Sequence, residues 1–256
     1  RVIAFAGRIL EDKADTAKYV NSPESKIYYK GKILYGLSHA KDEIRKNDLA
    51  LLVEGYMDLI SLHQNGIKNV VAISGTALTD DQVLLLSRYT KNVVLFFDSD
   101  SAGVNASMRS IDILLKRDMN IKVASLPNGE DPDTFIQKFG KKEFEEEIQN
   151  AQNFLEYQTE IYSRKGFFND PIKTVEAIRE LVKPISLIAD ELKRSVLIKS
   201  LAEKFSLREK LIELELEKVF AVNKKEENVA EKFRVKSEAK EQNVEERILK
   251  EIKVEK

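Results

Sequence analysis

The chain contains no cysteine, which excludes a disulfide framework and any thiolate zinc site built from its own residues. No apolar run approaches the roughly 18 residues that would suggest a membrane span. At the start, no charged n-region, apolar h-region and cleavage site can be read. A soluble, cytoplasmic protein with no membrane partner is expected. An excess of one charge is lacking too: 42 Lys and Arg stand against 43 Asp and Glu, a formal net charge of -1. Whole-chain charge therefore predicts no anionic partner, and any basic footprint must be local. At 256 residues the chain can bury an ordinary core, as one domain with an appended subdomain.

Residues 1 to 10, "RVIAFAGRIL", read as an apolar strand with no cap or turn before it, as if the chain opened inside a domain. The stretch from Lys18 to Gly36, "KYVNSPESKIYYKGKILYG", interleaves Lys18, Lys26, Lys30 and Lys32 with Tyr19, Tyr28, Tyr29 and Tyr35, against the lone acid Glu24. Cations neutralise phosphates and aromatic rings stack on bases, which suits a nucleic-acid surface. A solvated loop with half-buried tyrosines explains the same composition.

Four continuous apolar runs follow: Leu49 to Gly55, Asn69 to Gly75, Asn92 to Asp100 and Ile121 to Pro127. Strands covered on both faces are continuous in this way rather than alternating. The segments between them have helical length and amphipathic spacing. A helix from Tyr56 ends near Gly66, Thr79 and Gln82 stand at capping-box spacing, and another helix runs from about Ala102 to Asp118. Strands alternating with helices predict right-handed crossovers and a parallel α/β sheet flanked by helices.

The carboxyl ends of parallel strands gather on one edge, where functional groups collect. Glu54 closes the first run, and Asp98 and Asp100 close the third. Two residues apart in an extended segment, Asp98 and Asp100 project to one side and can share a ligand. Neighbouring carboxylates repel without a cation, and a few hard oxygens beside phosphates and water suit Mg²⁺. Each acid has a plainer reading as a cap, turn or loop residue. In "GEDPDTFI", Asp131 can cap a helix with Pro132 at its first position and Asp133 in its first turn.

On "VEGYMDLISLHQNGIKNVVAISGTALT", "FDSDSAG" and "GEDPDTFI", together with "KYVNSPES" and "YKGKILYGL" upstream, the sequence resembles the bacterial replicative DNA primase family, whose polymerase core contains a Toprim fold. The resemblance implies part of a basic α+β subdomain over residues 1–47, a Toprim subdomain over 48–140, a helical subdomain over 141–222, and a charged linker or truncated helicase-binding domain over 223–256. It implies that Glu54, Asp98 and Asp100 are the principal metal ligands and that Asp58, Asp131 and Asp133 are further acids of the centre. It also implies that Lys18, Tyr19, Asn21, Lys30 and, more weakly, Arg8 face template or nucleotide. The family has glycine where this chain has Ser99; if that position needs φ > 0, serine costs about 1 kcal/mol.

The activity implied is nucleotidyl transfer from ribonucleoside triphosphates on a single-stranded DNA template, making RNA primers with two magnesium ions, or manganese, about 3.5–4 Å apart. No zinc belongs to this stretch of chain. Further implied partners are a replicative helicase, through a carboxyl-terminal domain not represented here, and a single-stranded-DNA-binding protein. The protein is expected as a monomer at the bacterial replication fork, associated with the nucleoid. Another Toprim enzyme, a nuclease or topoisomerase, would share Glu54, Asp98 and Asp100; a fragment that only binds single-stranded DNA is the rival outside enzymes. After Lys141 the pattern is helical, interrupted at "GFFNDP", with Ser206 and Glu209 at capping-box spacing, and residues 223–256 read as a solvated helix or linker.

Overall fold

The computed structural model describes residues 2–9, 19–75, 77–97, 101–127 and 130–225. Lys18, Asp98, Ser99 and Asp100 lie outside the described residues, as does most of the segment expected as a charged linker. The opening apolar run contributes one short strand, β1 (Ala6–Arg8), antiparallel to β2 (Tyr19–Asn21). From there α1 (Leu37–Asn47), β3 (Ala50–Val53), α2 (Tyr56–Gln64), β4 (Val70–Ala72), α3 (Asp80–Leu86), β5 (Asn92–Phe96), α4 (Ser101–Leu115) and β6 (Asn120–Val123) alternate as the apolar runs predict. Then come α5 (Pro132–Phe139), α6 (Lys141–Asn150), β7 (Gln152–Asn153), α7 (Phe154–Arg164), α8 (Pro171–Ser186) and α9 (Glu191–Lys204). A last helix, α10, occupies 209–225.

The main sheet has the order β4-β3-β5-β6-β7, parallel throughout except for β7, which adds two antiparallel residues at the edge beside β6. Every residue of β3 and β4 is buried, which explains the absence of alternation: both faces are covered. On one face Leu51, Val53, Val94 and Phe96 pack with Leu59 and Leu62 of α2, Phe135 of α5 and Phe144 of α6. The Phe96 and Phe144 rings stack at 4.7 Å, and Phe135 meets Phe144 edge-on at 6.1 Å. A fully buried ring of this kind contributes about 2–3 kcal/mol from area alone.

Local chemistry sets the helix ends. Gly66 follows the end of α2 with φ +84, the left-handed backbone expected of a glycine there. At α3 the Thr79 and Gln82 side chains bond reciprocally to each other's backbone N–H, at 3.1 and 3.2 Å. Ser206 differs from expectation. It sits in left-handed backbone with φ +53, closing α9 through its N–H to the Glu203 carbonyl, while α10 begins at 209. The turn that ends one helix uses the residue whose sequence spacing suggested the start of the next.

The chain divides into two compact units, Arg1–Ala177 with Leu187–Asp190, and Ile178–Ser186 with the chain from Glu191 onward. The first holds both sheets. The second is helical, with Leu181, Val182, Ile185, Ile198, Leu201, Ile212 and Leu216 buried. There Glu215 is held below the ordinary carboxylate range by its bond from Lys218, with Arg179 adding to the effect. Among the described residues no helix is long and apolar enough to cross a membrane.

Candidate functional site

At the carboxyl edge of the main sheet the first unit carries a cavity of about 600 Å³. Four carboxylates line it, Glu54, Asp58, Asp131 and Asp133, together with Arg8, Tyr19 and Asn21 of the small sheet and Arg109 of α4. Two separate stretches of chain, 54–58 and 131–133, thus bring acids to one place, at the edge where parallel strands gather their carboxyl ends.

Glu54 is the first residue past β3, and its carbonyl accepts the Ser74 N–H at 2.9 Å, continuing the ladder with the neighbouring connection beyond the strand ends. Asp58 stands in the first turn of α2, 8% exposed, and its Oδ2 accepts the Gly55 N–H at 2.9 Å. A Cβ at position 55 would come within 2.9 Å of that oxygen, so glycine is required there for space; its φ of -110 is open to any residue. The negative charge at the helix start is also stabilised by the α2 dipole.

Asp131 is the N-cap of α5, accepting from Thr134 N at 2.7 Å, with Pro132 at the first helical position. The plainer cap reading of Asp131 is therefore part of the structure, and it coexists with a place on the cavity wall. Asp133, in the first turn of α5, accepts from the Ser61 hydroxyl of α2 and the Gln137 amide, both at its Oδ1. These bonds tie α2 to α5 and fix the carboxylate through one oxygen. Just before the cap, Glu130 Oε1 pairs with Lys138 Nζ at 2.5 Å. The bond from Lys138, with help from Thr134, holds the Glu130 carboxyl below its ordinary range and joins the loop entering α5 to that helix's last turn.

Of the expected nucleic-acid contacts, Arg8, Tyr19 and Asn21 line the cavity, with the Arg8 guanidinium 5.8 Å from the Tyr19 ring centroid. Lys30 sits half-buried on the turn 30–32 and is not part of the cavity wall. The structure adds residues that sequence reasoning missed. Ser61 and Gln137 orient Asp133; Tyr56 joins α2 to the small sheet; Arg109 places a cation among the acids. A signal for Arg109 exists in retrospect, since Ala102, Ala106, Arg109 and Ile113 recur at helical spacing and share the cavity-facing side of α4.

Among the described residues no three acidic or imidazole groups stand close enough to share one ion. The donor set still suits a hard divalent cation. Its four members are all carboxylates, and Asp131 and Asp133 each take their hydrogen bonds through Oδ1.

Three family models match the chain in order. They are DNA primase catalytic core, N-terminal domain, at residues 1–41; Toprim-like, at 51–136; and DnaB-helicase binding domain of primase, at 155–209. The third match lies within the chain, from α7 to α10, where a helical subdomain was expected and helicase binding was expected only from 223–256 onward. Among curated proteins, a DNA primase of Clostridium acetobutylicum is 45% identical over 216 residues, 83% of this chain and 35% of that protein. A DNA primase domain from Pseudomonas aeruginosa is similar with a TM-score of 0.73 and 32% identity, covering 85% of this chain and 68% of that one. The Escherichia coli primase catalytic core gives a TM-score of 0.71 and 36% identity, covering 81% and 67%. The chain spans between 35% and 38% of the length of the first curated relatives it matches.

Proposed function

Because the chain belongs to the bacterial DnaG-type DNA primase family, we propose that the carboxylate-lined cavity is a nucleotidyl-transfer centre that makes RNA primers on a single-stranded DNA template. The observation that carries this reading is the meeting of four acids with Arg8, Tyr19, Asn21 and Arg109 around one cavity at the sheet's carboxyl edge. Anionic groups alone would repel a triphosphate; acids facing cations and a tyrosine fit a site that takes metal and nucleotide together.

In the proposed reaction, the 3′-hydroxyl of a primer or first nucleotide attacks the α-phosphorus of a ribonucleoside triphosphate. The new O3′–P bond forms as the bond to the β-phosphate oxygen breaks and pyrophosphate leaves. Glu54, Asp98 and Asp100 would hold divalent metal, magnesium or manganese, with Asp58, Asp131 and Asp133 holding a second ion or its waters. Bound there, the metal supplies acidity to the attacking hydroxyl and neutralises charge on the leaving oxygens. Arg8 and Arg109 would bind phosphate oxygens, Tyr19 would stack on a base, and Lys18 and Lys30 would track the template backbone.

The partners that follow are a single-stranded template, ribonucleoside triphosphates, a single-stranded-DNA-binding protein, and a replicative helicase through the helices at 155–209. Action in the bacterial cytoplasm at the replication fork, as a monomer, completes the proposal. Support for the helicase contact is the DnaB-binding family match in that segment.

The test is incorporation of labelled ribonucleotides on a primed single-stranded template, in wild type and in Asp98→Ala and Asp100→Ala. Extension in the wild type that disappears in both variants, and on chelation of divalent metal, is the expected result. Strand cleavage in place of extension would transfer the site to another Toprim reaction.

A further inference from the structure

Tyr56 lies on the cavity wall directly after the Glu54–Gly55 turn, and its side chain joins α2 to the small sheet. Its hydroxyl donates to Asn21 Oδ1 at 3.0 Å. Packing holds the ring itself: Tyr35 meets it edge-on at 4.8 Å and 88°, and the Tyr19 ring of β2 lies 6.2 Å away. Tyr35 is in turn fixed to the main sheet by two backbone bonds with Ala72, at 2.9 and 3.1 Å. Burial, with the charge of the Tyr56 hydroxyl and a hydrogen bond to it, pushes the Tyr28 phenol above its ordinary range, so Tyr28 is a second, neutral partner of that hydroxyl.

A primary amide has one acceptor end and one donor end. Once Oδ1 of Asn21 takes the Tyr56 hydroxyl, the amide's orientation is set and its two N–H donors lie on the opposite side. There Nδ2 is 3.7 Å from where a Cβ of Gly75 would stand, and Gly75 lines the same cavity. Among the described residues Nδ2 donates no hydrogen bond. An oriented, unused pair of donors facing a cavity matches a ligand rich in acceptor oxygens.

We propose that Tyr56 is a positioning residue: by holding Asn21 Oδ1 it turns the Asn21 N–H donors onto the phosphate or ribose oxygens of a bound ribonucleotide. This rests on the nucleotidyl-transfer reading of the cavity. The work of Tyr56 is done through Asn21, so its hydroxyl should affect nucleotide affinity and leave the chemical step little changed.

The experiment measures equilibrium binding of ATP in the presence of Mg²⁺, together with KM and kcat for primer extension, in wild type, Tyr56→Phe, Asn21→Ala, Asn21→Asp and the Tyr56→Phe/Asn21→Ala double variant. Tyr56→Phe keeps the ring and its packing. The expected result is about 3- to 10-fold weaker ATP binding for Tyr56→Phe, with kcat within about twofold. The double variant should bind no more weakly than Asn21→Ala alone, since the two groups act as one unit. Asn21→Asp, which keeps an acceptor for Tyr56 and removes the N–H donors, should bind at least as weakly as Asn21→Ala. Wild-type affinity in Tyr56→Phe, or additive losses in the double variant, would overturn the inference. So would absence of ATP binding by the wild type. ATP binding that follows the expected pattern without any extension would instead remove the nucleotidyl-transfer reading and leave the Tyr56–Asn21 unit standing.

Discussion

Gly55 shows how a single atom's space can govern a site. The backbone at 55 accepts any residue, yet the missing Cβ lets Asp58 Oδ2 reach the Gly55 N–H at 2.9 Å. Gly55→Ala must push that carboxylate aside. The lost cap costs about 1 kcal/mol and the stiffer unfolded chain returns about half of that, so stability should shift little. Primer extension should fall by about tenfold or more if Asp58 serves the centre, read from extension rates and melting temperatures measured side by side. A melting temperature near wild type with unchanged extension would detach Asp58 from the chemistry. From the sequence, Glu54 could be singled out as an acid closing an apolar run and Asp131 and Asp133 as acids opening a helix, whereas Asp58 was marked only by the family resemblance. Ser61, Tyr56 and Gln137 could not, because their partners lie 72, 35 and 4 residues away, and the first two meet only through the fold.

Elements reach the same conclusion at larger scale. The four apolar runs became parallel strands in register, since continuous Val and Leu have no polar face to present to water. β7 had no such signal: Gln152 and Asn153 pair with Val123 and Lys122 because the edge of β6 offers unpaired backbone groups. Thr79 and Gln82 were legible as a cap, but the second role of Gln82 was not. Fully buried, it also donates through Nε2 to the carbonyls of Lys30 at 3.1 Å and Ile33 at 2.8 Å, fixing the basic turn against α3. Gln82→Leu keeps the volume and strips these donors. The Lys30 carbonyl keeps the Ile33 N–H, but loss of the bonds to the Ile33 carbonyl and the Thr79 N–H costs about 2–3 kcal/mol, which for a unit of this size lowers the melting temperature by about 4–12 °C. Calorimetry decides it, and a shift below about 2 °C would mean that water replaces the amide. The freed Lys30 turn should also weaken DNA binding in the same variant.

For the whole molecule, a balanced charge has to coexist with a proposed polyanionic partner. With a net charge of -1 there is no overall attraction to DNA, so affinity must come from the basic side chains gathered around the small sheet and its following turn. Among the described residues these are Arg8, Lys26, Lys30 and Lys32. Lys32 is only loosely engaged by Asp81 at 4.0 Å, with both side chains more than half exposed, so that pair should yield to a phosphate. About four neutralised phosphates on a single strand give a slope of log affinity against log salt near -3. Single-stranded DNA binding should therefore fall by about 50-fold between 50 and 200 mM salt, measurable by fluorescence anisotropy. A nearly flat salt dependence would shift the template contact from the cations to stacking on Tyr19 and its neighbours, since ring–base contacts release no counterions. A much steeper slope would require basic residues beyond those around the small sheet. Where the slope is near -3 or steeper, Lys30→Ala should flatten it by somewhat less than one unit if that side chain meets a phosphate, because each lost contact removes its own share of released ions and leaves the others in place.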